Sequence, residues 1–168
     1  MTYLEIDKAM YDIVMEKYNE CQNRLDAVPK ENKSERKALI IEREMYGLCN
    51  RAGLLVYTIG TREGVLTMRK RVIGQILRKY PKLNEVFTKL DEEEKMRFLA
   101  VLQAEIYMRD QLVNAYYTEL EAAKASGDTK QIFEFQIKVG ATSNVFAAWE
   151  RWRVENNIYS GMLLEGLK

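Results

Sequence analysis

The chain has 168 residues with 26 basic and 25 acidic side chains, long enough for one domain with a buried core and too evenly charged to hold nucleic acid or membrane by net charge. It contains no histidine, which excludes His-based triads, the commonest general base, and the Glu-x-x-His ligands of di-iron helical bundles. No run of about 18 apolar residues occurs, and the N-terminus lacks the basic-then-apolar layout of a secretory leader. A cytoplasmic protein without membrane contact is expected, in the host cytoplasm or virion if the source is viral.

Two prolines, at 29 and 81, and little alternation of β-branched residues predict an all-α fold: antiparallel helical hairpins packed as a bundle, about five long helices plus one short. The order expected within a single domain is a 1–60 hairpin, a 61–82 basic connecting helix, an 83–157 long hairpin and a 158–168 apolar docking tail. Thr2-x-x-Glu5 spells a capping box, and Met10, Val14, Tyr18, Cys21, Leu25 and Val28 then recur at helical spacing, predicting a helix over 3–27. After a polar link through Pro29, Ser34 is the expected cap of a second helix. Its face (Ala38, Ile41, Met45, Leu48, Ala52, Leu55, Ile59) is a heptad seam.

Folding that hairpin about residues 31–32 places Cys21 opposite residue 42. Cys49 is then offset by about seven residues, or ~10 Å, beyond disulfide reach. Gly60 and Gly64 bracket a turn, and a helix over 65–80 follows. A short helix over 83–90 carries Leu83, Val86, Phe87 and Leu90. Asp91-x-x-Glu94 opens a helix to about 125 with a buried stripe of Met96, Leu99, Ile106, Val113, Tyr117 and Leu120. Gly127 then suits a left-handed stop and Asp128 the next cap.

The last helix, 129–157, is apolar on two adjoining faces, one through Ile132, Phe135, Val139, Phe146 and Trp149, the other through Phe133, Ile137, Val145, Ala148 and Trp152. An apolar arc that wide needs more than one neighbour. Small residues at 140–143 suggest close backbone approach, and the tail with Tyr159, Met162, Leu163, Leu164 and Leu167 is unusually apolar for a terminus.

Charge is sorted in one place. Residues 62–82 hold seven basic side chains against Glu63 alone. Projected on a helix, Lys70, Arg71 and Arg78 share a face around Gly74, with Arg62, Lys79 and Lys82 nearby. These six are the candidate contacts for nucleic-acid phosphates or an acidic partner. The acids at 91–94 offer an internal partner for the same island. Phe146, Trp149, Trp152, Tyr159, Met162, Leu163 and Leu164 are the candidate oligomer or partner interface, with core packing as the rival reading of the aromatics.

No catalytic, cofactor-binding or metal-ligating set is spelled, so none is expected. The function expected is that of a non-enzymatic interaction protein, self-associating and binding a partner protein or building an assembly. The alternative is a binder of the phosphate backbone. A basic helix joined to a long hairpin resembles, in architecture alone, small phage terminase subunits and helical viral nucleoproteins. That resemblance implies a viral DNA-packaging or nucleocapsid role, although no helix-turn-helix is evident.

Overall fold

A computed structural model describes residues 1–57, 74, 77–78 and 80–158. Among them the chain is all-α, with six helices and no strand. Helix α1 (Tyr3–Ala27) begins with the expected capping box: Thr2 N donates to Glu5 Oε2 at 2.6 Å and Glu5 N to Thr2 Oγ1 at 3.3 Å. The Thr2 N–H, with the Thr2 hydroxyl donating to the same oxygen at 3.1 Å, holds the Glu5 carboxyl below its ordinary range. Ile6, Met10, Val14, Cys21 and Leu25 bury one face. Val28 is extended, as the residue before a proline must be, and this ends the helix.

Helix α2 (Lys33–Tyr57) is capped by Asn32, not by Ser34. Glu35 N donates to Asn32 Oδ1 at 3.4 Å and Asn32 Nδ2 to Glu35 Oε2 at 2.6 Å. Asparagine is as good an N-cap as serine, and here the tight link places it one residue before the first helical turn. Arg36 reaches back, its Nη1 donating to the carbonyls of Leu25 at 3.1 Å and Val28 at 2.9 Å. It thereby adds a second donor to the Leu25 carbonyl, which already accepts from Val28 N at 3.3 Å, and supplies one to the Val28 carbonyl beyond the helix end.

The hairpin register agrees with the sequence expectation. Cys21 Sγ donates to Leu39 O at 3.3 Å, Arg24 pairs with Glu42 at 3.3 Å, and Arg43 donates to Gln22 at 2.8 Å. Both cysteines are free and buried. The buried face of α2 is rotated from the expected seam: Leu39, Met45, Tyr46 and Cys49 are enclosed, while Ala38, Ile41 and Leu48 are half-buried. The cause is a second neighbour, since α2 packs on the last helix as well as on α1.

Pro81 opens the short helix α3 (Pro81–Thr88), where its missing N–H costs nothing. Leu83 and Phe87 meet Phe98, Leu99 and Leu102 in a small second core, whereas Val86 is exposed. Helix α4 (Glu92–Ile106) starts at the second capping box, with Glu94 N donating to Asp91 Oδ1 at 2.8 Å. It continues through a π-helical stretch, Tyr107–Val113, into α5 (Asn114–Ser126).

That stretch explains where the expected stripe fails. Met96, Ala100, Ala104, Met108, Leu112 and Tyr116 pack into the main core at intervals of four residues. Four exceeds an α turn of about 3.6 residues, so a regular helix would carry such a row round its surface. The wider turns of a π segment take up the excess. Phase is consequently shifted from the end of the segment onward: Leu112 and Tyr116 face the core, Val113 is half-buried and Tyr117 is 54% exposed.

Gly127 at φ 72° forms the left-handed stop. Asp128 caps α6 (Thr129–Glu155), its Oδ1 accepting from Lys130 N and Gln131 N at 3.1 Å each. Helix α6 packs against α5, the π segment, α2 and α1, the several neighbours its wide apolar arc requires. Ala141 and Thr142 are buried there, but Gly140 is exposed and a Cβ added to it would meet nothing within 4 Å, so no backbone approaches it closely.

Candidate functional site

Two places concentrate polar groups that the fold does not need for its helices. The first is the end of the bundle where the starts of α1 and α4 meet the end of α6. A cavity of about 430 Å³ opens there, lined by Met1, Ile6, Glu94, Arg97, Asn156, Asn157 and Ile158. Its back wall is shaped by how α6 stops. Ile158 N donates to Arg153 O at 3.0 Å and Asn157 N to Val154 O at 3.1 Å, the bond pair of a Schellman motif. Asn157 sits just past the helix at φ 54°, a position where asparagine is tolerated better than most side chains.

The motif turns the chain and presses Ile158 against the main core. Around this end Met1 is 51% exposed, Leu4 47% and Val154 58%. Arg97 Nε is buried and has no hydrogen-bond acceptor. The cavity thus has a mixed lining, apolar at Met1, Ile6 and Ile158 and polar at Glu94, Arg97, Asn156 and Asn157, with exposed apolar side chains on the neighbouring helix ends.

The second place is a buried charge cluster between α4 and α6. Arg153 Nη2 donates to Glu150 Oε2 at 2.7 Å, and Arg153 Nε lies 3.2 Å from Glu105 Oε1. Glu105 and Arg153 are wholly enclosed. Both Glu105 oxygens and Glu150 Oε1 are buried without a donor. A proton on Glu105 serves such an arrangement, because a neutral carboxyl donates to a carboxylate and leaves Arg153 balanced by Glu150. Burial, and then contact with Glu150, push Glu105 up to about 8, against the opposing pull of Arg153. With no exposed surface, this pair has no route to a substrate in the folded state. Its chemistry is that of a buried clamp between two helices.

The sequence candidates divide between described and undescribed residues. Arg78 and Lys82 are exposed. Arg62, Lys70, Arg71 and Lys79 lie outside the described residues, as do Tyr159, Met162, Leu163 and Leu164. Among the acids offered as an internal partner, Asp91 and Glu94 close on each other in the capping box. Trp149 is fully buried, stacked on half-buried Trp152 with ring centroids 5.3 Å apart, and Phe146 packs at the edge of the same core. Trp149 is therefore enclosed by its own chain.

Sequence reasoning missed Glu105, Arg153 and Arg97. A chain with 25 acids gives no reason to single out one, and the pairing of Glu105 with Arg153 joins helices 48 positions apart. Among the described residues no group of three or more acids and cysteines could hold a metal ion, and no helix is long and apolar enough to cross a membrane. No family model, curated protein or solved structure matches the chain.

Proposed function

We propose that the chain is a non-enzymatic helical interaction protein that self-associates through the end of the bundle where α1 and α4 begin and α6 stops. The supporting observation is the unmatched apolar surface there: Met1, which lines the cavity, is exposed, and so are Leu4 and Val154 on the helix ends that meet at it. Single exposed apolar residues are ordinary on any protein, whereas several at one end beside an open cavity mark an interaction surface. Size-exclusion chromatography with light scattering, on the intact chain and on one lacking residues 159–168, tests this. A mass above the monomer that falls on deletion is expected, and a monomer in both contradicts it.

A second reading, contact with nucleic-acid phosphates, rests on the exposure of Arg78 and Lys82 beside the start of α3. Retention on a nucleic-acid column that weakens steeply from about 50 to 500 mM salt is its signature. Failure to bind at the lowest salt removes it.

A further inference from the structure

We propose that the end of α6, residues 150–158, is a proton-gated element: it stays docked on the bundle while Glu105 carries a proton and is released when Glu105 ionises. This concerns a single chain and does not depend on self-association.

Two carboxyl groups share one guanidinium at this point. Arg153 lies 2.7 Å from Glu150 and 3.2 Å from Glu105, so it balances one negative charge, and a second in the same enclosed space has no counterpart. The other charges around Glu105 leave that balance in place. Arg109 of the π segment is paired with Asp110 at 3.0 Å. Helix α1, which packs on both α4 and α6, brings another acid, Asp7, as its enclosed charge among the described residues.

Of the two helices that the clamp joins, α6 is the one that can give way. Glu105 follows a fully enclosed run, with Phe98, Leu99 and Leu102 in the small core and Ala100 and Val101 in the main one. Past Trp149, α6 commits far less. Among the described residues there Arg153 alone is enclosed, Trp152 and Ile158 are half-buried, and Val154 to Asn157 are exposed. A segment that buries so little opens at lower free energy than the bundle as a whole. The side chain that fixes this turn is the one whose charge balance Glu105 sets. Asn156, Asn157 and Ile158 also line the cavity, so release removes one of its walls.

Release exposes Glu105 to water, where its value is the ordinary 4.5, whereas docking holds it at about 8. Between these values the docked end keeps a proton that the released end lacks. Release therefore becomes about tenfold more frequent with each pH unit and levels off once the docked form ionises too.

Hydrogen exchange of the full chain, read by peptide mass spectrometry from about pH 5.5 to 8.5 and corrected for the intrinsic rate at each pH, measures that frequency. Protection of the peptide over 150–158 is expected to fall about tenfold per pH unit in the native chain and to stay flat in Glu105→Gln. In Glu150→Gln, where Glu105 faces Arg153 without a competing carboxylate, the fall is expected to level off at lower pH. Glu150 has 23% of its side chain exposed and tolerates the change, so this variant keeps the test decisive even where Glu105→Gln fails to fold. Peptides over 20–40, at the α1–α2 link, are expected not to follow the trend. A flat native profile, a fall that survives in Glu105→Gln, or a levelling point unmoved in Glu150→Gln overturns the inference. A parallel fall at 20–40 overturns it as well, because the opening is then that of the whole fold.

Discussion

Arg153 Nε stands 3.2 Å from Glu105 Oε1, and neither side chain has exposed surface. Arg153 also balances the Glu150 carboxylate at 2.7 Å, and removing one partner of such a pair strands the other and costs about 3–5 kcal/mol. Arg153→Ala is expected to fall in that range in urea unfolding. Glu105→Gln keeps the size and polarity of a protonated carboxyl and is expected to cost less than about 1.5 kcal/mol at neutral pH. Equal losses for the two variants would show that Glu105 is ionised in the fold.

The same residue predicts a pH trend. Its folded value of about 8 stands above the ordinary 4.5, so between these values the unfolded chain loses a proton that the folded chain keeps. Stability from this group is complete below about pH 4.5 and declines as pH rises through about 8, with a slope of at most about 1.4 kcal/mol per pH unit. Unfolding curves of the native chain and Glu105→Gln, measured from pH 5 to 9, should therefore diverge, with the native chain losing ground to the variant. Parallel curves would contradict the shared-proton arrangement.

Cap assignments give a direct contrast at the α2 start. Asn32→Ala removes the side chain that accepts from Glu35 N and is expected to cost about 1 kcal/mol. Ser34→Ala, inside the helix, is expected to change stability by less than about 0.5 kcal/mol. At the other end, Asn157→Gly should be neutral or stabilising at its positive φ, while Asn157→Val should destabilise by about 1–2 kcal/mol. Thermal unfolding of the four variants checks both sites.

Cys21 and Cys49 supply a chemical probe of the hairpin. Burial holds their thiols up at about 11 and about 12, and reactivity follows the thiolate. Folded protein at pH 8 is expected to react with a thiol reagent at least a hundredfold more slowly than protein in denaturant, which should show two free thiols. Fast reaction of one thiol in the folded state would mean that α1 and α2 part readily.

Local signals were the legible part of this fold. Both Thr2-x-x-Glu5 and Asp91-x-x-Glu94 cap the helices they spell, and Gly127 followed by Asp128 marks the turn between α5 and α6. Such motifs act within one turn of chain, so their meaning does not depend on the rest of the molecule. Phase was less legible. The buried face of α2 follows from sharing its surface between α1 and α6, and the stripe of the long helix follows from π turns that no residue pattern announces.

The cavity was not legible in the sequence. Its floor comes from Ile6, Arg97 and Ile158 on three separate helix ends, brought together by tertiary packing. The Glu105 and Arg153 clamp has the same character, since each residue alone reads as one more charge on a helix.

Sedimentation equilibrium of the intact chain across a concentration series tests the central claim most directly. Self-association through the α6 end predicts an average mass rising with concentration toward a multiple of 19.7 kDa. It also predicts that Leu4→Asp, at the exposed rim, shifts the rise to at least tenfold higher concentration. A mass that stays at 19.7 kDa throughout would contradict it.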